Sequence, residues 1–298
     1  MMKKKVIVGS RDSKLAVMQT KLVMAEIEKH HPELELELVT MKTTGDIILD
    51  KTLDQIGGKG LFVKELDRAL LDKRVDITVH SLKDMPMEVS EDLPLVAFFQ
   101  RGNPYDVLVL PETETELNAS LPIGSSSARR NIQLKALYPD CSSKSVRGNV
   151  LTRLDKLDRG EYGSLILAHA GLSRLGLSHR ITKTFTHEEM IPAAGQGILV
   201  VQGRAGEDYR YLDCVDDEIS RREAIAERAF VRTLDGGCSA PIGAFARDDG
   251  ESISIYGLYV NTDTGRYKKG EIKGSSQNGE ALAIELAMRL KEEVDHGE

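Results

Sequence analysis

The stretch Val75-Asp76-Ile77-Thr78-Val79-His80-Ser81-Leu82-Lys83-Asp84-Met85-Pro86 decides how the chain is read. Val75 to Val79 alternates β-branched with other residues, the pattern of a strand. His80-Ser81 and Lys83-Asp84 follow before the Pro86 stop. That order places polar side chains at the C-terminal edge of a predicted parallel sheet, where open α/β sheets bind ligands. In extended chain, neighbours point apart, so Lys83 and Asp84 offer opposite charges without neutralising each other. Taken alone, such a pair is an ordinary solvated loop pair, and the rest of the chain has to say otherwise.

Outward from this stretch the same logic repeats. Lys4 to Gly9 reads as a strand, and Asp12 or Ser13 caps a helix whose apolar face is Leu15, Met18, Leu22, Val23 and Ile27. Leu34 to Met41 is a half-exposed strand, so the opening is β-α-β and a parallel sheet is expected. The turn Gly9-Ser10-Arg11-Asp12-Ser13 puts backbone N–H groups and hydroxyls at a helix N-terminus, an anion site on general grounds. Residues 43–60 are polar and Gly-rich and are expected to form a lid. Their Gly57-Gly58-Lys59-Gly60 lacks the spacing of a phosphate-binding Walker loop. A helix from Leu61 to Leu71 should turn Phe62, Leu66, Ala69 and Leu70 inward.

At Ile123 the theme returns: Gly124-Ser125-Ser126-Ser127-Ala128-Arg129-Arg130 is again a strand end, a glycine, hydroxyls and a helix start. Two such turns predict two related α/β domains facing each other across a cleft, with Gln100 to Pro104 and Met190 to Gly197 as the crossings. Further helices are expected with Leu151, Leu154 and Leu157 inward, and over 216–234 with Ile219, Ile225, Ala229 and Phe230 inward. Arg129, Arg130, Arg147, Arg153 and Arg174 all fall at or after predicted strand ends in this half. Basic residues at a helix N-terminus oppose the macrodipole, which an anion nearby would offset. Arginine forks suit carboxylates and phosphates, so the expected ligand carries several anionic groups.

The 298 residues suffice for two or three domains, and 41% hydrophobic with 29% charged residues is ordinary for a globular protein. The apolar run after the basic N-terminus is too short for a signal peptide, and no segment reaches a membrane span, so a cytoplasmic location is expected. Net charge −7 argues against a nucleic-acid partner. Cys141, Cys214 and Cys238 carry neither a disulfide framework nor metal-ligand spacing, and no metal is expected. Residues 218–298 read as a small α+β domain presenting Cys238 after Gly236-Gly237, which either lets the loop approach something closely or simply caps a helix.

Taken in order, Gly9-Ser10-Arg11, Gly57-Gly58-Lys59-Gly60-Leu61-Phe62, Val79-His80-Ser81-Leu82-Lys83-Asp84, Gly124 to Arg130, Arg147-Gly148-Asn149, Gln196-Gly197 and Gly236-Gly237-Cys238 make the chain resemble the porphobilinogen deaminase (hydroxymethylbilane synthase) family over nearly its whole length. The resemblance implies an α/β fold of two clamshell domains like type II solute-binding proteins plus a small C-terminal α+β domain. The implied division is 1–99 with 197–215, 100–196, and 216–298. It implies a transferase of tetrapyrrole biosynthesis, a monomer, that condenses four porphobilinogen molecules on a dipyrromethane cofactor held by a thioether to Cys238.

On this resemblance Asp84 is the catalytic carboxylate, facing pyrrole N–H groups and the cation left when ammonia departs. Lys83, Ser13, Ser127, Arg129, Arg130 and Arg147 hold the cofactor. Arg11, Gln19, Lys59, Phe62, Arg153, Arg174 and Gln196 meet the substrate and the growing pyrrole chain. The chain departs from the family pattern at Gln55, where a lysine is frequent and Lys51 lies nearby, and at Gln202-Gly203, where a glutamate is common. A non-catalytic clamshell that binds a small polyanion is the alternative, and a phosphate-handling transferase would lack its nucleotide motif.

Overall fold

The computed structural model describes residues 4–44, 63–237 and 240–297. In chain order it opens with β1 (Lys4–Arg11), α1 (Lys14–His30), β2 (Leu34–Met41), α2 (Lys64–Leu71), β3 (Ile77–Ser81) and β4 (Leu95–Phe98). Then come β5 (Asp106–Val109), β6 (Ile123–Gly124), α3 (Ala128–Leu137), β7 (Ser143–Lys144), α4 (Val150–Asp158), β8 (Ser164–Ala168), α5 (His169–Arg174) and β9 (Lys183–Thr184). β10 (Leu199–Gly203), α6 (Glu218–Thr233), β11 (Gly243–Asp248), β12 (Ser252–Val260), β13 (Tyr267–Ser275) and α7 (Gly279–His296) complete it. Two compact units result: Met1–Arg101 with Ile198–Arg221, and Gly102–Gly197 with Arg222–Glu298.

The first unit holds a sheet of order β2-β1-β3-β10-β4, and the second one of order β7-β6-β8-β5-β9. Both sheets are mixed, which corrects the expected parallel sheet. β1 pairs in parallel with β2 and β3, and β6 with β7 and β8. The fourth strand of each, β10 or β5, runs antiparallel to both neighbours. Those two strands follow the chain crossings at Gly197 and Arg101, and neither direction is a local property of the sequence. The shared strand order bears out the relatedness suggested by the two Gly-Ser turns. The second unit also carries the antiparallel sheet β11-β12-β13, whose Phe245, Leu258 and Val260 pack with Ile191 in one cluster.

Apolar alternation builds the first core: Val6, Val8, Ile77, Val79, Leu199 and Val201 close over Val23 and Ile27 of α1. Fully burying one such side chain contributes about 1.5–3 kcal/mol. The buried stripe of α1 is Gln19, Thr20, Val23 and Ile27, whereas Met18 and Leu22 are exposed. The helix is therefore rotated from the expected face, and Gln19 is turned inward. Leu151, Ile219 and Ile225 likewise face solvent, while Leu154, Leu157, Ala229 and Phe230 are buried as expected. In α2, Leu66, Ala69 and Leu70 are buried. β1 continues through Gly9, Ser10 and Arg11, paired with Val39, Thr40 and Met41, so only Asp12 and Ser13 turn.

Gly124 ends β6 at the point where the second unit's serines begin. A Cβ there would collide with the side chain of Leu165 and come within 2.9 Å of the Tyr162 ring. Both neighbours are buried, so Gly124→Ala is expected to cost about 1–3 kcal/mol, read as a lower midpoint in chemical unfolding.

Candidate functional site

β3 is buried along Ile77 to His80 and passes into a single 3-10 turn, Leu82–Asp84. Leu82 and Met85 bracket the turn as fully buried anchors, and the Met85 N–H donates to the Leu82 carbonyl at 3.0 Å. Lys83 and Asp84 therefore stand on a tight turn rather than on extended chain, half-buried between two hydrophobic pins. The turn is tied to the crossing chain, since the Leu82 N–H donates to Ile198 O at 3.0 Å.

Asp84 lines one narrow pocket with Arg11, Gln19, His80 and Ser81, over an apolar wall that includes Ala16, Val63 and Met85. Ser81 Oγ donates to Gln19 Oε1 at 3.2 Å. Ser13 caps α1, accepting from the Ala16 N–H at 3.3 Å. The structure thus brings Arg11, Gln19 and Asp84 together, and adds His80 and Ser81, which carried no assigned role. His80 is 6% exposed, and its Nε2 meets Thr78 Oγ1 at 2.8 Å. Burial drives it down to about 4, the Arg11 charge adds to this, and the neighbouring Gln202 side chain opposes it. The imidazole is neutral at pH 7.

In the second unit the serine turn after β6 leads into α3, whose first turn carries Arg129 and Arg130. Both are buried, and both reach one carboxylate, Asp106 at the start of β5. Arg129 Nη1 donates to Asp106 Oδ2 at 2.8 Å and to Ile191 O at 2.6 Å. Arg130 donates to Asp106 Oδ1 from Nη2 at 2.6 Å and from Nε at 3.1 Å, and its Nη1 donates to Ile166 O at 2.9 Å. The anion expected at this basic helix start is thus in part the chain's own. Burial alone would push the Asp106 carboxyl up, but the two guanidiniums hold it far below the usual carboxylate range. Burial pulls Arg129 down, and Asp106 opposes that. Gln196, 1% exposed, donates from Nε2 to Asp106 Oδ1 at 2.9 Å and to Pro104 O at 2.6 Å.

Ser127 is the N-cap of α3, and Ser126 Oγ donates to Val146 O at 2.6 Å, which holds the serine turn against the loop carrying Arg147. Asn149 caps α4, and Arg153 Nε donates back to Gly148 O at 2.8 Å. Arg147 and Arg153 therefore belong to one corner. Arg174 ends α5 instead of following a strand directly. Its Nη2 donates to Gly197 O at 2.5 Å, and burial pulls it down to about 10, still protonated at pH 7.

Lys51, Gln55, Lys59, Phe62 and Cys238 lie outside the described residues, as does the expected lid except Thr43 and Thr44. The approach to Cys238 is described as far as Gly237. The left-handed residue after α6 is Asp235, at φ 52°, so the helix cap is not a glycine. Gly236 serves close approach instead: a Cβ there would come within 2.6 Å of Ile242 and 2.9 Å of Val231.

The family model "Porphobilinogen deaminase, dipyromethane cofactor binding domain" matches residues 6–211, and "Porphobilinogen deaminase, C-terminal domain" matches residues 221–292. A porphobilinogen deaminase of Alkaliphilus oremlandii is 54% identical over 98% of this chain and 99% of its own length. One from Acetivibrio thermocellus is 53% identical with the same coverage of 98% and 99%. Among solved structures, the aliphatic sulphonate binding protein SsuA of Escherichia coli aligns at 13% identity and TM-score 0.41, covering 78% of this chain and 71% of that one. The benzoate-bound BenM effector binding domain aligns at 14% identity and TM-score 0.42, covering 72% of this chain and 90% of that one.

His80 makes the pocket acid-sensitive. The unfolded chain takes up a proton on this ring below pH 6.5, and the folded chain only near 4. Its contribution is complete above the unfolded value and is lost as pH falls toward the folded one. Between pH 7 and 5 the loss is about 2 kcal/mol. A His80→Gln variant should lose correspondingly less stability over that interval in chemical unfolding at the two pH values.

Proposed function

The chain belongs to the porphobilinogen deaminase family, and we propose that its catalytic carboxylate is Asp84 and that Cys238 carries the primer. The family reaction joins four porphobilinogen units head to tail on a dipyrromethane cofactor, releasing ammonia and hydroxymethylbilane for tetrapyrrole biosynthesis. The observation that carries the assignment is the pocket in which Asp84 meets Arg11, Gln19 and a neutral His80.

Asp84 accepts hydrogen bonds from pyrrole N–H groups and stabilises the positive charge that develops on the substrate as ammonia leaves. Its backbone is pinned by buried Leu82 and Met85, so little reorganisation is needed as charge appears. The same carboxylate is placed to take and return protons. Arg11 binds a substrate carboxylate, and Gln19, oriented by Ser81, offers its amide. Because His80 is neutral, it adds no second cation to oppose the developing charge.

The residues fit a polyanionic pyrrole cofactor. Arg129 and Arg130 share a single carboxylate, and Arg129 Nε is buried without a partner among the described residues. When bound, the dipyrromethane would supply the free pyrrole carbon to which the first unit is joined. Lys83, Ser13, Ser127, Arg129 and Arg147 hold its carboxylates, and Arg130, expected among them, spends its three nitrogens on Asp106 and Ile166 O and supports the cluster from within. Arg153, Arg174 and Gln196, with Lys59 and Phe62, serve the substrate and the lengthening chain. Function is divided among three domains, 1–99 with 197–215, 100–196, and 216–298. The enzyme works in the cytoplasm as a monomer without nucleic acid, for which the net charge of −7 is support.

Two measurements test this. Protein purified from cells that make porphobilinogen should weigh two pyrrole units more than the bare chain, and Cys238→Ser should not; a bare wild-type mass would overturn the reading. Asp84→Ala should keep the thermal midpoint and lose at least about a hundredfold in turnover, and substantial retained activity would remove Asp84 from the chemistry.

A further inference from the structure

Asp106 lies outside every role assigned so far, yet no other carboxylate among the described residues gathers so many of the assigned ones. It is fully buried. Its Oδ2 accepts from Arg129 Nη1, and its Oδ1 accepts from Arg130 Nε, Arg130 Nη2 and Gln196 Nε2. These donors come from the first turn of α3 and from the crossing segment after Met190. Arg130 spends all three of its nitrogens inside the protein: two on Asp106 and the third on Ile166 O. Arg129 spends only Nη1, on Asp106 and Ile191 O. Its buried Nε is left without a partner. A buried donor in that condition is destabilising unless something accepts from it.

The charges make the same point. Two guanidiniums facing one carboxylate leave one positive charge uncompensated in a water-poor setting, which favours an incoming anion. A guanidinium, moreover, is useful to a carboxylate only when its planar fork is held at a fixed angle. Asp106 grips the Nη1 corner of Arg129, the side away from Nε, and it immobilises Arg130 completely.

From this geometry we infer that Asp106 is a positioning residue for the pyrrole chain: it locks Arg130 as a strut and aims the Nε edge of Arg129 at a ligand carboxylate. This rests on the deaminase reading. Asp106 touches no reacting atom and acts through Arg129, so it affects anion capture and leaves the chemical step alone.

The experiment compares wild type, Asp106→Asn, Arg129→Gln and the double variant. Two readouts are used: the fraction of purified protein carrying the two-pyrrole mass adduct, and KM against kcat for porphobilinogen. Asp106→Asn should lower the adduct fraction. In the active remainder it should raise KM by about tenfold with kcat within about threefold. The double variant should be no worse than Arg129→Gln by either readout, because the aim of an absent side chain is irrelevant. A full adduct with wild-type KM in Asp106→Asn would overturn the inference, as would a further loss in the double variant. If Asp106→Asn alone fails to fold, the double variant against Arg129→Gln decides, since it removes one buried charge of each sign. Wild type without adduct would sink the deaminase reading itself, whereas a normal wild type matched by Asp106→Asn sinks only the role of Asp106.

Discussion

One buried carboxylate organises much of the second unit. An ionised group out of water costs several kcal/mol unless it is paired and hydrogen-bonded on every side. Asp106 meets that condition only if β5 begins where it does, if α3 presents Arg129 and Arg130 in its first turn, and if Gln196 folds back onto it. The arginines would otherwise oppose the macrodipole of α3, and Asp106 offsets this. The segment after Met190 is held by the same cluster: Gln133 accepts from Ile191 N–H at 2.8 Å, and buried Glu227 accepts from Gly195 N–H at 2.6 Å. A charge requirement thus fixes the backbone that carries Gln196 and Gly197, and Gly197 in turn holds Arg174.

The first unit solves a comparable problem with backbone partners. Arg204 Nη1 donates to Leu70 O at 2.8 Å and to Val75 O at 2.7 Å. Asp76 Oδ2 accepts from Ile7 N–H at 2.7 Å. The end of α2, the entry to β3 and the middle of β1 are thereby fixed together. Since β3 is only five residues long, fixing its entry also fixes the Leu82–Asp84 turn at its exit. The catalytic geometry proposed for Asp84 depends on these contacts at the far end of the strand as much as on its immediate neighbours.

Local pattern made part of this legible. The alternation before His80, the glycine–serine turn at Gly124 and the cap at Ser13 are short-range features found where the residues put them, whereas Gly9, Ser10 and Arg11 stay in β1 and only Asp12 and Ser13 turn. Three things were not legible, each for a physical reason. The antiparallel course of β5 and β10 is set by where the chain returns to a sheet, which no local period encodes. The rotation of α1 that buries Gln19 and exposes Met18 and Leu22 reflects the polar pocket it faces, which overrides hydrophobicity as a guide to the inward side. The pairing of Arg129 and Arg130 with Asp106 spans more than twenty residues. A signal for it was present: an aspartate heads the otherwise apolar run Asp106-Val107-Leu108-Val109-Leu110, and a charge at the mouth of a buried strand demands a partner. The arginine cluster was read as awaiting an external anion when one internal anion already met it.

That correction narrows what each cluster of side chains contributes. Of the groups lining the pocket in the first unit, Arg11 and Asp84 offset each other formally and His80 is neutral, so attraction for a ligand carboxylate there is local to Arg11. On the role proposed for Asp84, the pocket serves charge that appears during reaction, to which a carboxylate on a fixed backbone is suited. In the second unit, two guanidiniums against one carboxylate leave a standing positive charge and an unpartnered N–H. On the role proposed for Arg129, that arrangement suits ground-state binding of an anion. Affinity for the polyanionic chain and stabilisation of the transient cation are opposite electrostatic tasks. On the proposed reading, the Asp106 cluster serves the first task and the Asp84 turn the second.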